Sequence, residues 1–125
     1  MSIRNSVERL IQYVGAGDYL TAIETFYAPD ATMQENNQPP RAGLPALLEN
    51  ERRMMQNFKQ IHQSAAISYI VDGDRVAINW VFDITLQDGS RFQLDEIAYQ
   101  QWRNDKIVQE RFFYDPAQVQ AVRQP

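Results

Sequence analysis

The sequence has no cysteine and a single histidine, His62. Without cysteine the chain forms neither disulfides nor thiolate metal sites, and its redox compartment stays open. A lone histidine without a second nitrogen ligand is weak support for zinc, so we expect no metal and no organic cofactor. A glycine-rich phosphate loop, a dinucleotide fingerprint and a nucleophile elbow are also missing. These absences remove the usual sequence evidence for a nucleotide enzyme or a serine hydrolase.

Positive charge and long apolar runs are scarce as well. The chain has 12 Lys and Arg against 16 Asp and Glu, a net charge of −4, and its basic residues are scattered, so no nucleic-acid partner is expected. No segment has the length of a membrane span, and the start of the chain is amphipathic rather than a signal-peptide core. We therefore expect one cytoplasmic domain over residues 1–125, with no membrane partner.

The first half of the chain has helical periodicity. Apolar residues three and four apart predict helices over residues 3–14, 18–28 and 45–57. The second is expected to end before Pro29, because proline disfavours helix at the residue preceding it. A short strand is predicted over residues 31–36, and the polar, proline-broken stretch 37–43 is predicted to be a loop.

The second half of the chain alternates with a period of two. Four long alternating runs cover residues 60–71, 75–86, 91–102 and 106–114, and the turns between them contain Asp-Gly and Asn-Asp pairs. These runs predict an antiparallel meander. Three helices gathered on one face of a curved, mostly antiparallel sheet define an α+β fold.

Polar side chains share the predicted inner face of the last hairpin. Tryptophan and phenylalanine fix that face, yet two carboxyl groups and an amide lie in phase with them. An unpaired carboxylate in a plain core is costly, so this mixture is typical of a pocket wall. The bland alternatives are an ordinary aromatic core and charges at a solvated rim. The predicted ligand contacts are Glu51, Trp80, Gln100, Trp102, Glu110, Phe112 and Tyr114.

Three glutamates have positions in the sequence that could serve chemistry. Glu35 lies near the end of the predicted short strand and is a candidate general base, and the alternative, which the spacing alone favours, is a solvated strand-end residue. Glu96 is the second catalytic candidate, since carboxyl groups that share a site with Glu110 push one another's pKa upward. Glu51 interrupts the apolar stripe of the third helix, which requires either a pocket or a structural pair, for instance with Arg41.

The opposite face of the sheet is not cleanly polar. Val81, Ile97, Tyr99 and Phe113 would form an exposed apolar patch there. The simplest partner for such a patch is a second copy, so we predict a homodimer through this outer face. Coverage of the patch by the C-terminal tail is the alternative.

Several short strings, in order, resemble the NTF2-like superfamily, and within it the group of SnoaL-like polyketide cyclases and ketosteroid isomerases. The similarity extends over nearly the whole chain. It implies an NTF2-like (cystatin-like) cone, with a bent sheet, three helices, a cavity at the open end and frequent dimers through the outer sheet face. The strings are Gly17-Asp18, Phe26–Thr32, Arg41–Gly43, Lys106–Val108 and Phe113–Asp115.

The resemblance also implies a range of functions. The catalytic base of the ketosteroid isomerases falls on Glu35, whereas their two oxyanion donors fall on or near Leu10 and Ala98 and are therefore absent. The Asp-Arg-Asp set of the related epoxide hydrolases has no inward positions here. The implied function is a cavity for a small apolar or carbonyl-type ligand, used either by a lyase, isomerase or cyclase with a carboxylate base, or by a non-catalytic binding or dimerisation domain.

Overall fold

The structure is a computed structural model that describes residues 2–120 of the chain. Over this range the chain forms helices and strands in the predicted order. The helices are α1 (Ile3–Gly15), α2 (Tyr19–Phe26), α3 (Leu44–Gln56) and α4 (Ala117–Gln120). The strands are β1 (Tyr27–Glu35), β2 (Arg41–Ala42), β3 (Phe58–Asp72), β4 (Arg75–Leu86), β5 (Arg91–Arg103) and β6 (Lys106–Phe113).

All six strands belong to one sheet of order β2-β1-β6-β5-β4-β3. The strands β3 to β6 form the predicted antiparallel meander, and β2 runs antiparallel to β1. The pairing of β1 with β6 is parallel, and the chain between these two strands contains β2, α3 and the first three strands of the meander. The predicted α+β class, with a mostly antiparallel sheet, is confirmed.

The core lies between the helices and the inner face of the sheet. Helix α1 contributes Val7 and Leu10, which are essentially fully buried, and the central strands contribute Ile78, Trp102 and Ile107. Ser2 accepts a hydrogen bond from the Asn5 N–H and caps α1, which fixes where this helix begins. In β4 and β5, the apolar residues that alternation predicted to face inward are mostly the buried ones.

Two predictions for the first half of the chain are wrong. Residues 27 and 28 were expected in the second helix but are extended, since β1 begins at Tyr27 and pairs there with Ile107 of β6. The strand also includes Pro29, which lies where its register with β6 shifts and where a missing N–H is tolerated. The loop predicted over residues 37–43 contains β2, whose two residues pair with Thr32 and Met33.

The outer face of the sheet carries the predicted apolar patch. Ile97, Tyr99 and Phe113 are 41–44% exposed, and Val81 is half-buried beside them. Helix α4 packs against the part of β5 that does not pair with β6. There the Gln118 side chain accepts a hydrogen bond from the Asp95 N–H. The part of the predicted tail beyond residue 120 lies outside the described residues. No helix within residues 2–120 is long and apolar enough to cross a membrane.

Candidate functional site

A cavity of about 160 Å³ lies between the helices and the inner face of the sheet. Its wall is largely apolar, with aromatic rings from α2, β3, β4, β5 and β6. Four carboxyl groups, hereafter the carboxyl cluster, also line it: Glu35, Glu51, Glu96 and Glu110. An apolar cavity of about 150 Å³ accommodates benzene. The enclosed space therefore matches one substituted ring, and a four-ring ligand would extend outside it.

Glu96 is, with Glu51, one of the two members of the cluster whose carboxyl groups have no hydrogen-bond partner among the described residues. It lies on β5 opposite Trp80 of β4, is only 8% exposed, and makes no side-chain hydrogen bond within residues 2–120. Burial, followed by the negative charges of Glu110, Glu35 and Glu51, raises the pKa of Glu96 to about 8. This carboxyl is therefore largely protonated at neutral pH and can donate a hydrogen bond into the cavity.

Glu110 lies on the neighbouring strand and has a full set of partners. The Tyr27 hydroxyl donates to its Oε1, and Gln100 Nε2 donates to its Oε2 over 2.6 Å. Trp102 Nε1 in turn donates to Gln100 Oε1 over 2.9 Å. We call these four residues the buried network. Burial raises the pKa of Glu110 to about 7, although both hydrogen bonds oppose the increase.

Glu35 is placed by the junction of β1 with β6. Asn36 adopts a left-handed conformation (φ 49°) that asparagine tolerates, and it bonds both to the carbonyl of Phe112 and to the N–H of Tyr114. This junction lets the Tyr114 hydroxyl donate to Glu35 Oε1 over 2.8 Å. Arg41 Nη2 lies 3.9 Å from the other carboxylate oxygen. Glu35 therefore has a hydrogen-bond donor at one carboxylate oxygen and a cation near the other.

Glu51 projects from α3 towards the same cavity, one turn after the buried Leu47. Burial and the negative charge of Glu35 raise the pKa of Glu51 to about 7, against the opposing effect of the Arg41 charge. Among the residues that the structure describes, Glu51 makes no hydrogen bond or close ion pair. The structural pair with Arg41 that its sequence position allowed is not formed, because Arg41 is closer to Glu35.

The predicted site residues divide into two groups. Glu35, Glu51, Trp80, Glu96, Glu110 and Phe112 line the cavity. The others, Gln100, Trp102 and Tyr114, are not lining residues and act through hydrogen bonds to Glu110 and Glu35. Their contacts with a ligand stay a prediction.

Several lining residues were not predicted. Tyr27 was missed because a local helical pattern hid its place on a strand, whereas the inner phase of Phe82 was visible in the alternation. Tyr19 and Phe58 lie in different elements, and only the packing of those elements brings them together. Within residues 2–120 no group of three potential His, Cys, Asp or Glu ligands is arranged to hold a metal ion.

The protein is thus an α+β domain in which helices pack on one sheet and several carboxyl groups line a largely apolar cavity. Residues 7–110 match the family of SnoaL-like domains, so the chain belongs to that family. The predicted membership of the NTF2-like superfamily and its SnoaL-like group is confirmed. A comparison with curated proteins gives no match.

Solved structures from several bacteria have the same fold. One from Mesorhizobium loti, proposed to be a SnoaL-like polyketide cyclase, is 27% identical with a TM-score of 0.81, covering 91% of this chain and 100% of that chain. An NTF2-like protein of unknown function from Burkholderia pseudomallei is 16% identical with a TM-score of 0.85 over 100% of both chains. A protein with a ketosteroid isomerase-like fold from Catenulispora acidiphila, solved with trimethylamine, is 18% identical with a TM-score of 0.77, covering 94% and 90%.

Proposed function

We propose that this protein catalyses proton transfer next to a carbonyl group in a small, roughly one-ring molecule. The observation that carries the proposal is the contrast between Glu35 and Glu96 on one cavity wall. Glu35 accepts a hydrogen bond from Tyr114 and lies 3.9 Å from Arg41, whereas Glu96 has no such contacts and burial raises its pKa to about 8. Two carboxyl groups in such different surroundings are the arrangement from which a general base and a hydrogen-bond donor are made.

In the proposed reaction Glu35 removes the proton from the carbon next to the carbonyl. The C–H electron pair moves into a C–C double bond, and the carbonyl π electrons move onto oxygen. Glu96, protonated, donates a hydrogen bond to that developing oxyanion. Return of the proton from Glu35 to a different carbon completes an isomerisation. The Tyr114 hydroxyl already donates to Glu35, so the oxyanion role falls to Glu96 and Tyr114 acts as a positioning residue.

The test uses 3-cyclohexenone, a one-ring ketone whose isomerisation to the conjugated enone is followed by ultraviolet absorbance. Exchange of its α-protons in D₂O is followed in parallel by NMR, which detects proton abstraction even without isomerisation. We expect Glu35→Gln to lower the rate by about 10²–10⁴-fold, the usual contribution of a general base. Glu96→Leu, which removes the donor, should lower it by about 10²–10³-fold.

The matched control is Glu49→Gln, on the exposed side of α3, where Glu49 pairs only with Arg52 at 3.9 Å. Its rate should equal that of the wild type. Unchanged rates in Glu35→Gln would show that Glu35 is not the base, and absence of exchange in the wild type across a panel of one-ring ketones would refute the proposed reaction.

A second candidate function is ligand binding without turnover. It is favoured by the ion pair and hydrogen bond at Glu35, since these contacts occupy the oxygens with which a general base would accept the substrate's proton. Thermal-shift measurements with the same ketones distinguish the two, because binding that raises the melting temperature without any proton exchange supports this candidate. Trimethylamine, present in the Catenulispora acidiphila protein, belongs in the same panel.

The homodimer through the outer sheet face also stays a proposal. The exposed patch contains two aromatic rings beneath arginine side chains, Arg75 over Tyr99 at 5.7 Å and Arg111 over Phe113 at 4.7 Å. Tyrosine, phenylalanine and arginine are the residue types enriched in protein interfaces. A dimer formed there would leave the cavity, on the opposite face of the sheet, open to ligand.

A further inference from the structure

The cavity wall carries an imbalance of charge. Four carboxyl groups line it, and Arg41 is the single basic side chain among the lining residues that the structure describes. Arg41 is engaged by Glu35 at 3.9 Å. Among the described residues, no basic side chain lies within ion-pair distance of Glu51, Glu96 or Glu110. Such groups repel additional negative charge and are stabilised as anions by any positive charge that enters.

A second, independent observation points to a ligand. Glu96 as a residue is only 8% exposed and borders the cavity. Its carboxyl group has no hydrogen-bond partner within residues 2–120. A buried polar group without a partner costs free energy, which natural proteins rarely tolerate outside sites that bind something. Glu110, on the next strand, shows that this fold can satisfy a buried carboxyl when no ligand is needed.

The remaining wall suits an organic cation rather than a bare metal ion. Trp80 and Phe82 stack with ring centroids 6.1 Å apart, and Tyr19 meets Phe82 edge-on at 6.3 Å. All three rings line the cavity. Aromatic faces attract ammonium groups and also pack against their carbon substituents. The volume of about 160 Å³ leaves space for one ring or for a few alkyl groups around nitrogen.

We propose that the natural ligand of this cavity carries a positively charged nitrogen, a small protonated or quaternary amine that is held by Glu51 and Glu96 against the aromatic wall. The inference deepens the proposed function and rests on it in one respect, that the ligand occupies the same carboxyl-lined cavity.

The test compares three ligands that share one ring and differ in charge: cyclohexylammonium, cyclohexanol and cyclohexanecarboxylate. Isothermal titration calorimetry gives the affinities at pH 6, 7 and 8.5, and thermal shift provides an independent reading. We expect cyclohexylammonium to bind at least about tenfold more tightly than cyclohexanol at pH 7, and cyclohexanecarboxylate not to bind. Tetramethylammonium, whose charge does not titrate, should bind more tightly as the pH rises from 6 to 8.5.

The pH dependence has a defined origin. The groups facing Glu96 are Glu35, Glu51 and Glu110, with the hydroxyls of Tyr27 and Tyr114 and the Arg41 charge nearby. Because burial and mutual repulsion keep Glu51, Glu96 and Glu110 partly protonated near neutral pH, a bound cation is expected to release protons from them. Titrations in buffers of different ionisation enthalpy measure that release directly.

Glu51→Gln and Glu96→Gln should each weaken cyclohexylammonium binding by about tenfold or more, while leaving cyclohexanol binding nearly unchanged. Glu49→Gln, on the exposed side of the same helix, is the matched control and should bind as the wild type does. Because both site variants keep the shape of the side chain, circular dichroism is expected to show an intact fold. The ligand ranking in the wild type stands as a test even if one variant fails to fold.

The outcomes separate this inference from the proposed reaction. Equal or tighter binding of cyclohexanol or cyclohexanecarboxylate at pH 7, or no binding of either cation, overturns the inference. Cation binding without exchange of 3-cyclohexenone protons supports the inference and removes the proposed reaction. Proton exchange that cyclohexylammonium does not inhibit retains the reaction and refutes the cation site.

Discussion

Glu96 and Glu110 lie on the inner face of adjacent strands, both nearly fully buried, and they differ in what surrounds their oxygens. Glu110 accepts hydrogen bonds from Tyr27 and Gln100, whereas Glu96 has no partner among residues 2–120 and borders the cavity. The comparison separates two uses of a buried carboxyl group. A carboxyl group that accepts hydrogen bonds from buried donors stabilises the fold. A buried carboxyl group without a partner lowers the stability of the fold and, in our proposal, is available to bind a ligand.

The largest expected effect comes from breaking the buried network. Glu110→Leu leaves the Tyr27 hydroxyl and the Gln100 amide as buried donors without an acceptor, and we expect a loss of about 2–5 kcal/mol in the free energy of unfolding. Urea denaturation measures it. In the double variant with Tyr27→Phe, one of the two orphaned donors is gone, so part of the loss should be recovered. No recovery would show that the cost of Glu110→Leu has another source.

The second prediction concerns the pH dependence of stability. The pKa values of Glu51, Glu96 and Glu110 are raised in the folded state, to about 7, 8 and 7. The folded protein therefore holds protons that the unfolded chain has released, so stability is greatest below the unfolded pKa of these groups, about 4.3, and falls as pH rises from about 5 to 8. Each retained proton contributes a slope of up to about 1.4 kcal/mol per pH unit.

Glu96→Gln sharpens this prediction, because it removes one titrating group and no hydrogen bond. Unfolding measured between pH 5 and pH 8.5 should show a shallower decrease than in the wild type and a more stable variant at pH 8.5. An identical slope in both proteins would mean that Glu96 does not retain its proton in the folded state. Glu49→Gln, an exposed carboxyl on α3, should leave the slope unchanged.

A smaller effect is expected at the far end of the buried network. Trp102→Phe removes the indole donor to Gln100 Oε1 and leaves a small void, for a loss of about 1–3 kcal/mol in the free energy of unfolding. Trp80→Phe is the matched comparison on the cavity wall, where the indole makes no hydrogen bond within residues 2–120 and one face borders empty space. Its loss should be smaller, and the reverse order would contradict the division between network and wall.

The smallest effect on stability is expected on the outer face of the sheet. Tyr99→Asp changes an exposed residue of the outer patch, so the fold and the cavity should be unaffected. If the proposed dimer forms there, light scattering should change from dimer to monomer at micromolar concentration. Ala46→Asp adds the same charge on exposed α3 and should not alter the mass. A wild-type monomer would remove the dimer proposal.

The sequence by itself determined the meander and its inner face. The alternation in residues 75–86, 91–102 and 106–114 predicted β4 at its observed ends and β5 and β6 to within one residue, and it placed Glu96, Gln100 and Glu110 inward. Alternation is decided locally, because successive side chains of any strand point to opposite faces and one face must exclude water. The Asp-Gly turns then fixed the neighbours of each strand.

Only the tertiary structure decided which groups face one another. The parallel pairing of β1 with β6 turned Tyr27 from a predicted helical residue into a hydrogen-bond donor for Glu110, and it brought Glu35 beside Tyr114. The packing of α3 against the sheet brought Glu51 to the same cavity. The two hydrogen bonds join residues 79 and 83 positions apart in the chain, and Glu51 comes from an element that shares no local pattern with the sheet. Their free energy depends on the packing of the complete core, which no local periodicity encodes.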